Sequence, residues 1–161
     1  MTRPSFRIAG RIAKPVSEVF EAVVNPDRLS AYFTTGGADG RLETGVTVHW
    51  DFADFPGRFP VRVARVEKDR EIVLSWAAHE AGEVSSTGKM PEAAGYDTTV
   101  TMTFEALEDG RTLVTISEEG WRETPGAVKA SYGNCEGWTQ MLCALKAWLE
   151  HGVNLREGFY R

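Results

Sequence analysis

The chain has 161 residues, of which 42% are hydrophobic and 25% are charged, and it carries a formal net charge of −5. This is the composition of an ordinary globular chain, and we expect one domain over residues 1–161. Scattered Lys and Arg in an acidic chain exclude a basic nucleic-acid surface, and no apolar run approaches the roughly 18 residues of a membrane span.

The first third predicts one strand and two helices. Apolar side chains alternate with polar ones from Ser5 to Ala13, which is typical of a half-buried strand. Apolar residues then recur at helical spacing after Pro15 until Asn25-Pro26 stops the run. Residues 27–33 predict a second short helix, which Gly36-Gly37 ends as a flexible joint.

From Gly40 onward the hydrophobic period is two, which predicts a run of antiparallel strands. They are expected at residues 41–43, 46–53, 59–66, 71–77, 99–104 and 113–119, with turns at Pro56-Gly57 and Asp109-Gly110 and a bulge near Arg65-Val66. Residues 78–95 form the longest irregular segment, and loops of that length are usually functional or mobile. The pattern therefore predicts six or seven strands.

The last element is a strong amphipathic helix over residues 134–152. Its apolar stripe repeats every three or four residues and contains Trp138, Met141, Leu142, Leu145, Trp148 and Leu149, and Gly152 is its expected end. Cys135 and Cys143 lie about 12 Å apart along such a helix, too far for a disulfide. Free thiols favour a reducing, cytoplasmic location.

Several local motifs then carry a family resemblance. They are Pro15 to Phe20 with Asn25-Pro26 and Leu29, Gly40-Arg41-Leu42 with Gly45, Val63 to Trp76, Glu119-Gly120-Trp121, and Gly137-Trp138 with Leu142, Leu145 and Leu149. In this order they resemble the helix-grip superfamily of START and Bet v 1-like domains, in the branch related to the C-terminal domain of the activator of Hsp90 ATPase. Tyr32-Phe33 stands where members often carry a tryptophan pair. The resemblance implies an α+β helix-grip fold, with a curved antiparallel sheet wrapped around the long C-terminal helix and an internal apolar cavity.

Strand parity places Trp50, Phe52, Trp76 and Met102 on the face that Trp138 and Met141 of the helix would meet. Such a set either packs as plain core or lines a pocket, and as a set it favours a pocket. The candidate ligand-binding residues are Tyr32, Phe33, Trp50, Phe52, Trp76, Met102, Glu118, Trp121, Asn134, Trp138 and Met141. Access is expected past residues 32–37 and the 78–95 loop.

Two polar residues of that set could orient a ligand. Asn134 lies on the apolar stripe one turn before Trp138, and Glu118 shares parity with Val114 and Ile116. Because carboxylates are seldom buried unpaired, the simpler interpretation of Glu118 is a solvated strand end. The three histidines, at positions 49, 79 and 151, lack metal-ligand spacing, and no activated nucleophile is evident. We therefore expect no metal, no cofactor and no catalytic residue.

Three functions compete. The first is binding of a small hydrophobic molecule, lipid-like, aromatic or polyketide-like. The second, which the resemblance implies, is partnership with an Hsp90-type chaperone. The third is polyketide cyclase- or hydrolase-like chemistry in the same cavity, for which Glu118, Asn134 and Tyr96 are the available acid/base groups. Exposed edge strands could pair two copies into a homodimer, and the sequence leaves monomer or dimer open.

Overall fold

The computed structural model describes residues 2–80 and 93–160. Those residues form seven strands and three helices. In chain order they are β1 (Phe6–Ile12), α1 (Val16–Val24), α2 (Pro26–Leu29), β2 (Gly37–Ala38), β3 (Thr47–Phe52), β4 (Phe55–Glu67), β5 (Glu71–Ala77), β6 (Asp97–Ala106), β7 (Thr112–Glu119) and α3 (Pro125–His151).

All strands belong to one antiparallel sheet with the order β1-β7-β6-β5-β4-β3-β2. Consecutive strands are neighbours from β2 to β7, and β1 closes the far side by pairing with β7, where Phe6 lies opposite Glu118. The sheet curves, and the long α3 packs on its inner face. The predicted α+β helix-grip architecture is confirmed.

The apolar stripe of α3 faces the sheet, and its central members Trp138, Met141 and Leu145 are at most 2% exposed. Close packing on β1 depends on Gly10, because a Cβ there would lie 3.0 Å from Cδ2 of Leu142. Gly152 ends the helix in the left-handed conformation (φ 68°), as predicted.

The helix begins earlier than the sequence indicated. The side chain of Thr124 accepts a hydrogen bond from the Ala127 amide at 3.1 Å, and Pro125 occupies the first turn. The sequence analysis missed the first turns of α3 because their apolar residues form no wide stripe. Only the N-cap motif, Thr124 followed by Pro125, marks the true start of the helix. No helix in residues 2–80 and 93–160 is long and apolar enough to cross a membrane.

Three other boundaries differ from the prediction. Residues 41–43 form no strand; instead Leu42 is buried and its amide donates to the Val24 carbonyl at 3.1 Å. The second helix ends at Leu29, and Pro56-Gly57 lies inside β4 rather than in a turn. The expected bulge in β4 is present, with its register shift between Val63 and Arg65. Residues 81–92 of the predicted long loop lie outside the described residues.

Candidate functional site

Glu118 lies near the end of β7, and its side chain is fully buried (0% exposed). From the sheet, Trp76 Nε1 and Thr98 Oγ1 each donate a hydrogen bond to Oε1 at 2.7 Å. From α3, Asn134 Nδ2 donates to Oε1 at 3.1 Å and Oε2 at 3.2 Å, and Trp138 Nε1 donates to Oε2 at 3.1 Å. Four side chains therefore surround one carboxylate, two from each layer of the fold.

Simple periodicities place these groups together. Thr98 lies opposite Trp76 in the β5–β6 ladder, and Val100, two residues further on, lies opposite Glu118 in the β6–β7 ladder. Since alternate residues share a face, the three polar side chains meet at one end of three adjacent strands. Asn134 and Trp138 are four residues apart and project from successive turns of α3. The arrangement therefore needs no irregular backbone.

Burial raises the pKa of the Glu118 carboxyl above its ordinary value, and hydrogen bonds from the four donors oppose that rise. An indole N–H and an amide NH2 can only donate, so both carboxyl oxygens must act as acceptors. A proton on Oε1 would have to point at the Thr98 hydroxyl, the one partner able to accept it. Four donors thus enclose a buried carboxyl group, and the interpretation of Glu118 as a solvated strand end is wrong.

Six rings, which we call the aromatic cluster, lie between the sheet and α3: Phe33, Trp50, Phe52, Phe59, Trp76 and Trp138. Trp138 stacks on Phe33 (centroids 5.5 Å apart) and on Trp76 (5.4 Å). Trp50 meets Phe33 and Trp76 edge-on at 5.8 and 6.0 Å. These rings contact one another in the region where the sequence predicted a cavity.

The remaining predicted site residues lie elsewhere. Tyr32 is fully buried and donates its hydroxyl to the Ala22 carbonyl at 3.0 Å, which ties it to α1. Met102 and Met141 belong to the buried core. Trp121 contacts Phe6 and lines a surface cleft of about 430 Å³ with Arg3, Tyr96, Asp97, Gly120, Arg122 and Glu123.

Tyr96, the third acid/base candidate, is engaged in a different network. Its hydroxyl donates to Glu80 and accepts from the Arg122 amide, so it does not join Asn134 at Glu118. Within residues 2–80 and 93–160, no three His, Cys, Asp or Glu side chains are grouped to hold a metal.

Two parts of the site were missed by the sequence analysis. Thr98 continues the inward alternation of Val100 and Met102 by one step, so extending β6 would have found it. Arg156 lies in the segment after α3, where no periodic pattern marked it. It is 6% exposed, and its guanidinium lies over Phe52 (4.7 Å), Tyr160 (5.2 Å) and Phe33 (5.4 Å).

Comparisons with known proteins agree with the fold. The family model described as "Activator of Hsp90 ATPase homolog 1-like protein" matches residues 13–150. No curated protein matches the chain. Among solved structures, protein SSP2350 from Staphylococcus saprophyticus is 28% identical with a TM-score of 0.73, covering 95% of this chain and 96% of its own.

Two further structures share the fold at lower identity. DynU16, from the dynemicin biosynthetic locus, is 23% identical with a TM-score of 0.72, and the match covers 92% of this chain and 48% of that protein. The Aha1 dimer from Colwellia psychrerythraea is 22% identical with a TM-score of 0.66, covering 94% and 98%. With most of its length matched by the family model, the chain belongs to the family of activator of Hsp90 ATPase homolog 1-like proteins.

Proposed function

We propose that this protein binds a small, flat hydrophobic molecule, aromatic or lipid-like, between the sheet and α3, with Glu118 as the polar anchor. The observation that carries the proposal is a fully buried carboxylate that accepts hydrogen bonds from four side chains beside a cluster of aromatic rings. Binding sites combine these two features, an apolar wall and a few convergent polar groups.

Stability alone is a poor reason to keep Glu118. Removing a carboxylate from water costs several kcal/mol, and apolar side chains of similar volume often stabilise a core as well or better. Strongly perturbed ionisable groups inside a fold are correspondingly enriched at functional sites. Four side chains donate hydrogen bonds to this one carboxyl group, which supports a role in ligand recognition.

The rim of the site lies at Trp76 and Asn134, because both are only half-buried whereas Trp138 and Glu118 are buried. A guest that carries a hydroxyl or an N–H can replace the Asn134 amide as a donor to Glu118. Its flat body would then stack on Trp76, in the manner of the Trp76–Trp138 pair. Both steps leave the hydrogen bonds that the buried residues Thr98 and Trp138 donate to Glu118 unchanged.

Thermal shift and calorimetric titration test this proposal with three compound classes: fatty acids, aromatic acids and phenolic polyketides. At one hundred times its Kd, a ligand should raise the unfolding free energy by about 2.7 kcal/mol. For a chain of this size that is a Tm rise of roughly 5–10 °C. Asn134→Ala should strengthen binding of hydroxylated ligands, because it removes the amide that the guest displaces from Glu118, whereas Lys129→Ala, an exposed change on α3, should have no effect.

The proposal fails if no compound of the three classes shifts the Tm and native mass spectrometry of the purified protein detects no bound molecule. It also fails if Asn134→Ala and Lys129→Ala have equal effects on a ligand that does bind.

Stimulation of an Hsp90 ATPase is a second candidate, supported by the family match over residues 13–150. A pull-down with purified Hsp90 and a coupled ATPase assay test it, and absence of both binding and stimulation would exclude it. The likeness to a dimeric Aha1 structure supports measuring the oligomeric state in the same experiment.

Acid/base chemistry at Glu118 is a third candidate, supported by its raised pKa. Its oxygens are already engaged by four donors, which favours binding over catalysis. A turnover that survives in both Glu118→Gln and Asn134→Ala would exclude this role.

A further inference from the structure

We infer that the guest carries a carboxylate, which Arg156 binds at the opposite end of the aromatic cluster from Glu118. This inference rests on the proposed function, since it names the chemical class of the same ligand. It starts from Arg156, a residue that is only 6% exposed yet forms no ion pair with any residue of the described chain.

The unpaired polar groups are all donors. In residues 2–80 and 93–160, three buried side-chain nitrogens or oxygens lack a hydrogen-bond partner: Trp50 Nε1, Gln140 Nε2 and Arg156 Nε. Leaving a buried donor unpaired is costly, so native structures keep few of them. Three N–H groups and no acceptor is the pattern expected where an anion binds.

Two of these donors, on Arg156 and Gln140, belong to neighbouring side chains. The Arg156 Nη1 donates to Gln140 Oε1 at 3.3 Å, and the Tyr160 hydroxyl donates to the same oxygen at 2.6 Å. Because the amide oxygen must face these two donors, the Gln140 NH2 is turned away from them. The Phe33 ring contacts both of the other groups: Trp50 meets it edge-on, and the Arg156 guanidinium lies over it.

Cation–π contacts with Phe33, Phe52 and Tyr160 only partly replace the lost hydration of the guanidinium. Burial lowers the pKa of Arg156, and the nearby carboxylate of Asp54 opposes that change. Asp54 nevertheless makes no ion pair with it. A carboxylate matches the planar guanidinium and would supply the acceptor that the free Arg156 Nε lacks.

The two ends of the cluster are joined by stacked rings. Arg156 lies over Phe33, Phe33 stacks on Trp138, and Trp138 donates to Glu118. A flat aromatic acid with a hydroxyl or N–H at its far end would meet an acceptor at one end and a cation at the other. The described site thus selects for polarity as well as for shape.

Calorimetric titration at pH 7.5 with 2-naphthoate and its neutral isostere 2-naphthamide tests this inference. The wild-type protein should bind the acid at least about 10-fold more tightly than the amide, as one charge-assisted hydrogen bond predicts. Arg156→Met should remove the preference while leaving amide affinity within about 2-fold, and Arg156→Lys should keep part of it. The matched control is Arg122→Met, because Arg122 also covers a ring, that of Tyr96 at 4.3 Å, but is exposed.

Equal affinity for the acid and the amide in the wild-type protein would overturn the inference and leave the proposed function standing. So would a preference that persists in folded Arg156→Met. If neither probe binds, both the inference and the proposal of an aromatic guest fail. The wild-type comparison needs no variant, so it decides the question even if Arg156→Met does not fold.

Discussion

Replacing Glu118 with Gln exchanges one carboxylate oxygen, an acceptor, for an NH2 group, a donor. It should destabilise the protein by about 3 kcal/mol at pH 7. With its amide oxygen at the Oε1 position, Gln keeps the hydrogen bonds from Trp76, Thr98 and Asn134. Its NH2 then faces the Trp138 indole N–H, 3.1 Å from Oε2 in the native protein. Two donors facing each other cannot bond.

The magnitude follows from three terms. The unpaired indole donor costs about 1–3 kcal/mol, and the remaining bonds each weaken by about 1 kcal/mol on losing their charged acceptor. Removal of a desolvated charge returns part of that loss. In a chain of 161 residues a net 3 kcal/mol lowers Tm by roughly 6–12 °C.

A double-mutant cycle with Trp138→Phe isolates the opposed donors, because Phe keeps a ring but has no N–H. Denaturant unfolding should give a coupling energy of about 1–2 kcal/mol, with the double variant less destabilised than the sum of the two single changes. Glu119→Gln, one residue along and exposed, should change stability by less than about 0.5 kcal/mol. Additive single effects, or an unchanged Tm in Glu118→Gln, would refute the reasoning.

The same variant predicts an unusual pH dependence. Because the folded pKa of Glu118 lies above its ordinary value of 4.5, the native state binds more protons than the unfolded state between those two values. Its contribution is therefore fully present below pH 4.5 and is lost as the pH rises through the folded pKa. The stability difference between wild type and Glu118→Gln should shrink with rising pH, and a difference that grows instead would contradict the raised pKa.

Three further predictions test the scaffold. Glu21→Gln should lower the unfolding free energy by roughly 1 kcal/mol at pH 7, allowing for solvent screening of the exposed ion pair with Arg41. This difference from wild type should vanish as the pH falls from 4.5 toward the folded pKa of Glu21, about 2. A difference that is unchanged at pH 2 would argue against the ion pair. Gly133→Ala, in the open face of α3, should stabilise by about 0.5–1 kcal/mol in chemical denaturation. Gly36→Ala should destabilise by about 1–3 kcal/mol, since its Cβ would lie 2.8 Å from Cγ of Asp51, and full stability there would rule out the close approach.

Periodicity was enough to predict the sheet and the helix that packs on it. Period two and period three-to-four patterns report which side chains turn inward, and that information places Trp76, Glu118 and Trp138 on facing surfaces. Periodicity does not report what inward residues do when they meet. Glu118 was expected to be solvated because a lone buried carboxylate is unfavourable, and its four donors come from three other elements of the chain.

The cavity shows the same limit from the other side. Parity identified aromatic residues that face inward, but whether six rings enclose a space or fill it depends on their rotamers. No pattern predicted the position of Arg156, because its burial depends on how the segment after Gly152 folds back to place it over Phe33. A feature that depends on one contact between distant segments leaves no periodic pattern in the sequence from which it could be predicted.

The pairing of β1 with β7 has a consequence for how the protein is made. Phe6 is synthesised about 110 residues before its partner Glu118, and at ordinary translation rates this separation is an interval of roughly 5–20 s. Throughout that interval a short amphipathic segment carrying Phe6 and Ile8 has no strand to join. Exposed Arg7 and Arg11 alternate with its apolar residues, and such charges keep a waiting strand from pairing with a neighbouring nascent chain.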